Sequence, residues 1–150
     1  MLRSAGIKKN DPEHSPKMTL TPVSGGTLRF PLIGAPGTLD PAQINLVNDV
    51  AIPLQIFEGL TQLDQTGEVI PAIASSWSSP DATVWTFNLR HDVYFHNGRQ
   101  LNANDFVFSW NRAKTAGGPL AYLFDDISSF LALDDFTFVV TLTDPYASFL

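Results

Sequence analysis

Two runs in this chain alternate apolar and polar side chains so regularly that a β-strand with one buried face is the conformation that satisfies them. In TVWTFNLR, residues 83–90, Trp85, Phe87 and Leu89 fall on one side and Thr86, Asn88 and Arg90 on the other. In FTFVVTLTD, residues 136–144, Phe136, Phe138, Val140 and Leu142 point inward against Thr137, Val139 and Thr141, and the residue types favour extended backbone. Between them the period changes. In LNANDFVFSWNRAK, residues 101–114, Asn102 is placed to cap a helix, Asp105 to bond back to the cap N–H, and Phe106, Trp110 and Ala113 to line one side. Gly117, Gly118 and Pro119 end that helix. Trp85 and Trp110 are therefore expected in the core. Strands mixed with helices give an α/β class.

The remaining segments are less regular. DVYFHNG, residues 92–98, continues the alternation through Val93 and Phe95 to a turn at Asn97-Gly98. LTQLDQTGEVIP, residues 60–71, reads as two short extended pieces around a turn at 64–67, followed by a short segment PAIASSW and a polar turn SSPDA. The spacing predicts a helix over residues 48–58, capped by Asn48 or Asp49, with Ile52, Ile56 and Leu60 on one side, Phe57 alongside and Gly59 as its stop. Pro53 makes its first turn irregular. TLRFPLI, residues 27–33, reads as a strand that Pro31 sends to an edge. Residues 120–132 leave a short helix and irregular chain both open. Residues 1–26, with Pro12, Pro16, Pro22 and Gly25-Gly26, read as a flexible leader, and residues 27–150 as a portion of one domain. The apolar ending PYASFL reads as a cut chain.

Composition removes several functions. Nine Lys and Arg against 15 Asp and Glu give a net charge of −6, which argues against nucleic acid and anionic membrane surfaces as partners. Cysteine is absent, which excludes disulfides, thiol catalysis and thiolate metal sites. His14, His91 and His96 lack the spacing of a helical zinc pair. There is no Gly-rich dinucleotide fingerprint and no phosphate-binding loop, so neither nucleotide site has support, and the adjacent acids Asp125-Asp126 and Asp134-Asp135 read as solvated turns rather than a catalytic pair. Residues 38–45 with Asn48 offer turn N–H groups, hydroxyl and amide donors and a helix start that could receive a polar ligand group. The same residues serve equally as caps and turns. Tyr122 with Phe124 could wall a pocket or belong to the core.

Several quoted stretches together resemble one family: TLDPA at 38–42, IFEGLTQLDQTGEVIPAIASSW at 56–77, DATVWTFNLRHDVYFHNGRQLNANDFVFSW at 81–110, and LDDFTFVVTLTDPYASFL at 133–150. They resemble the family 5 extracellular solute-binding proteins of ABC importers, which include oligopeptide, dipeptide and nickel receptors, and the likeness covers residues 26–150. Asn97 and Asn102 replace the family's commoner Asp and Thr. The resemblance implies a two-lobed periplasmic-binding-protein fold, of which this chain would be the N-terminal portion: the opening of lobe I plus much of its extra subdomain, incomplete. It implies capture of a peptide or related small solute for delivery to ABC permease subunits, in the periplasm or at the outer face of the cell membrane, without cofactor or catalysis. The alternative is a truncated remnant that binds nothing on its own. The ligand-facing positions implied are Thr38, Leu39, Asn45, Leu46, Val47 and Asn48, with Leu120 and Tyr122 from the later segment. Asn45 stands where peptide-binding relatives place an acidic residue against the ligand amino terminus.

Overall fold

The structure, a computed structural model, describes residues 25–27, 29, 31–32, 34–44 and 50–150. The chain divides into two compact units, Met1–Pro31 and Leu32–Leu150. The described residues of the first are exposed and carry no regular structure. The strand expected over 27–33 is absent from its described residues, and Leu28, Phe30 and Ile33 lie outside them.

The second unit holds an antiparallel four-stranded sheet and a small hairpin. We number its strands β1 (Thr61–Leu63), β2 (Val69–Pro71), β3 (Ala74–Ser78), β4 (Val84–Leu89), β5 (Ile127–Asp134) and β6 (Thr137–Leu142), with helix α1 at Ala103–Thr115. β1 and β2 pair with each other, and the main sheet runs β3-β4-β6-β5. The two alternating runs thus become its two central strands. Trp85 lies opposite Val140 and Phe87 opposite Phe138, so both apolar sets face the same way. Phe87, Phe138 and Val140 are fully buried, and Trp85, Leu89 and Leu142 nearly so.

Helix α1 packs on that face. Its first turn carries the expected capping box: Asn102 Oδ1 accepts from Asn104 N–H at 3.0 Å, and Asp105 Oδ2 accepts from Asn102 N–H at 2.9 Å. Asp105 also takes a forked bond from Arg99. The Ala103 N–H donates to the Asp135 carbonyl at 2.8 Å, which pins the helix start to the β5–β6 turn. From α1, Phe106 meets Phe138 with ring centroids 5.5 Å apart. Trp110, half-buried, sets its ring edge-on to Phe124, Phe130 and Phe138 at 5.6, 5.4 and 5.1 Å.

Three expectations need correction. Residues 120–132 are neither one short helix nor irregular chain: a 3-10 turn at Ala121–Phe124 leads into β5. Register shifts between Ile127 and Ser129 and between Ala132 and Asp134 space the inward residues Ile127, Phe130 and Ala132 unevenly, which hides the strand period. Of the described part of the helix expected over 48–58, Val50 is helical and the residues after it are not. From Ala51 the backbone turns into a 3-10 turn at Pro53–Gln55, because Pro53 cannot donate and its own carbonyl takes both Ile56 and Phe57 N–H. Ile56 and Phe57 are consequently exposed. Finally, residues 92–96 make only one isolated bridge, Tyr94 to Gln100. Phe95 is partly exposed, with the Arg99 guanidinium over its ring at 4.5 Å. The turns at Asp64 to Gly67 and at Asn97-Gly98 form as expected, with Gly67 and Gly98 at positive φ.

Candidate functional site

The site is built outward from Asp40. Thr38 Oγ1 accepts the Asp40 N–H at 3.0 Å, and Asp40 Oδ1 in turn accepts the Ala42 N–H at 3.0 Å. Pro41, which has no N–H to satisfy, starts the 3-10 turn Pro41–Gln43. These are the local bonds that Thr, Asp and Pro at this spacing dictate. The long-range part was not visible in the sequence. Arg112, late in α1, reaches 72 residues back and forks onto the Asp40 carboxylate, Nη1 to Oδ1 at 2.8 Å and Nη2 to Oδ2 at 2.5 Å. The Arg112 hydrogen bonds and the Ala42 N–H hold the Asp40 carboxyl below its ordinary range.

A second contact lies just beyond. A Cβ placed on Gly118 would run into the Ala42 carbonyl oxygen, so the turn and the loop after α1 touch backbone to backbone. Gln43 Nε2 also reaches the Ala116 carbonyl at 3.5 Å, a weak bond. From Gly118 the chain winds into the Ala121–Phe124 turn through Ala121 N–H to Gly118 O at 3.0 Å and Leu123 N–H to Leu120 O at 3.1 Å.

The expected site residues divide accordingly. Thr38 is half-buried and engaged within its own turn, and Leu39 is exposed. Asn45, Leu46, Val47 and Asn48 lie outside the described residues. Leu120 shares a cavity of about 250 Å³ with Pro41, Ala42 and Arg112, which brings the two expected segments side by side. Tyr122 lines a different cavity of about 640 Å³, together with Trp110, Phe124, Ile127, Tyr146 and Phe149, and one carboxylate, Asp126. Arg112 was missed as a site residue, and Gly118 was marked only as part of the stop after the helix. Among the described residues no group of three or more His, Asp or Glu side chains gathers as a metal site, and no helix is long and apolar enough to cross a membrane.

The described residues thus join an antiparallel sheet, the capped helix on its apolar face, and the LDPA turn strapped to that helix. Residues 68–150 match the family described as bacterial extracellular solute-binding proteins, family 5 Middle, and the chain belongs to that family. It is 37% identical over 131 residues to the periplasmic oligopeptide-binding protein OppA of Escherichia coli, which covers 75% of this chain and 24% of OppA. Its fold superposes on the Escherichia coli murein tripeptide-binding protein MppA with a TM-score of 0.74 at 28% identity, over 76% of this chain and 26% of MppA. It likewise superposes on Haemophilus influenzae OppA in complex with the peptide RPPGFSPFR, with a TM-score of 0.72 at 31% identity, over 76% and 26%. The chain therefore has the mixed helix-and-sheet fold of the N-terminal portion of periplasmic binding proteins and spans about a quarter of the length of these relatives.

Proposed function

We propose that this chain supplies one wall of the solute site in the substrate-binding component of an ABC importer, with peptides as the solute class. The wall would comprise Thr38, Leu39, Asn45, Leu46, Val47 and Asn48 from the first segment and Leu120 and Tyr122 from the second. Capture would take place in the periplasm or at the outer face of the cell membrane, and the loaded protein would pass its solute to membrane permease subunits. No chemical step is involved. The role is to bind, and to shift a lobe equilibrium by binding.

The observation that supports this reading is the approach of residues 41–42 to Gly118 and Leu120, which makes one surface of two segments far apart in sequence. The turn presents backbone groups and a hydroxyl, suited to a peptide's own amides, and the second segment presents apolar and aromatic surface, suited to side chains. With Asn45 where relatives carry an acid, the chain holds the ligand amino terminus by an amide rather than by a carboxylate, which favours tolerance of the terminal charge over strong selection for it.

A single wall buries only part of a ligand, so residues 1–150 alone should bind with a dissociation constant weaker than about 1 μM, or roughly −8 kcal/mol. Amide-resolved NMR titration of the 150-residue chain with tri-alanine and with RPPGFSPFR tests this. Shifts confined to residues 38–48 and 117–123 are the expected result. No shift at millimolar peptide would overturn the reading and favour a remnant without binding of its own, and shifts centred elsewhere would move the site.

A further inference from the structure

We propose that Arg112 and Gly118 are positioning residues of this wall, holding the 38–43 turn in a fixed place so that its ligand-facing groups are set before a solute arrives. The inference rests on the reading above and adds two residues that neither the family resemblance nor the sequence periodicity marks.

Asp40 serves two partners at once. Its Oδ1 both caps its own turn, through the Ala42 N–H, and receives Arg112 Nη1. Its Oδ2 receives Arg112 Nη2. One carboxylate therefore couples the internal shape of the turn to the position of the helix, and only a planar fork can occupy both oxygens at once. Lysine at 112 would keep the charge and lose the fork. Gly118 acts at the other end of the same turn, where its missing side chain lets the Ala42 carbonyl close in. Its φ is not in the left-handed region, so the requirement there is space rather than backbone conformation. An alanine would have to push the turn away from the loop that carries Leu120.

The base to which the turn is tied is itself fixed. α1 is capped by Asn102 and Asp105, bonded at Ala103 to the Asp135 carbonyl, and packed through Phe106 and Trp110 on the sheet. The Arg112–Asp40 pair, by contrast, is partly exposed, with side chains 47% and 30% accessible. A pair of that kind adds little to global stability. Its forked geometry instead determines where a surface turn stands, and preorganisation of that sort is read in ligand affinity rather than in melting.

The test uses the 150-residue chain with Arg112→Lys and Gly118→Ala. Amide hydrogen exchange is read residue by residue at Ala42 and Gln43, whose N–H groups are bonded inside the turn, and at β4 and β6 as a control. Both variants should raise exchange at Ala42 and Gln43 by at least about tenfold while the strand amides are unchanged. Titration with tri-alanine should then show affinity about tenfold weaker in both variants at the same melting temperature. Unchanged exchange at Ala42 and Gln43 overturns the clamp. Raised exchange with unchanged affinity overturns the link to the ligand. Faster exchange in β4 and β6 as well overturns a positioning role in favour of a structural one. A wild-type chain that binds no peptide sinks the functional reading and the affinity half of this inference together, and the exchange result still decides the clamp.

Discussion

Two regions of the molecule that both carry large apolar side chains have opposite fates. In β4 and β6, Phe87, Phe138 and Val140 retain 1% or less of their accessible surface. In residues 54–63, Leu54 and Leu63 keep 68% and Phe57 keeps 49%. Leucine and phenylalanine occur in both. β4 and β6 are the two inner strands of the sheet, each hydrogen-bonded on both sides, and α1 packs on the apolar face at Phe138 of β6. The other region is a 3-10 turn followed by a three-residue strand with one partner. Burial follows the number of neighbouring elements the backbone can recruit, and a run of apolar residues without them stays in water.

The contrast is broken most strongly at its centre. Phe138→Ala should cost about 3–5 kcal/mol in a denaturant melt, because it empties the point on which Phe87, Phe106, Phe130 and Trp110 converge. Trp110→Ala should cost less, about 2–3 kcal/mol, since the ring is only half-buried; a loss under about 1 kcal/mol would show that its three edge contacts do not hold the helix. Ala82→Gly should move stability the other way by up to about 1 kcal/mol. Ala82 sits at φ 57 while its carbonyl serves both Trp85 Nε1 and Tyr146 N–H, and glycine relieves the left-handed backbone without losing either bond. Phe57→Ala, in the exposed region, should stay within about 0.5 kcal/mol; a larger loss would mean that this region is packed in solution.

The smallest global effect comes from acid. Asp40 has its carboxyl depressed by Arg112 and the Ala42 N–H, so the contribution of the pair is complete above the unfolded value near 3.8 and is lost as pH falls through the lower folded value. Below about pH 4 the turn should loosen first. Chemical shifts followed from pH 6 to about pH 2.5 should show Ala42 moving before Val140, and simultaneous movement would mean that the turn and the sheet are one cooperative unit.

The reach of the sequence follows the same division. β4, β6, the Asn102–Asp105 capping box and the turns at Gly67 and Gly98 were legible because each is decided by residues a few positions apart. β5 was not, because its register shifts place Ile127 three residues before Phe130 and only then return to a spacing of two. The expected helix over 48–58 failed at Pro53, where the missing donor outweighed the apolar spacing of Ile52 and Ile56. At the candidate site, the Thr38–Asp40–Pro41 turn was readable for the same local reason. Its partner was not, since nothing in the spacing of Asp40 and Arg112 announces that a helix will lay one against the other.

The strand order carries a kinetic consequence. β3 with β4, and β5 with β6, are hairpins whose strands follow each other closely in the chain, whereas the seam between β4 and β6 joins Trp85 to Val140. Hairpins form on a microsecond scale, and the entropy of bringing distant residues together is met only when the long connection closes. That connection contains α1, which bonds at Ala103 to the Asp135 carbonyl and packs on the second hairpin. Folding should therefore proceed as two ribbons zipped together late, with the helix already riding on the β5–β6 ribbon, and Phe87 and Phe138 meeting at the barrier itself.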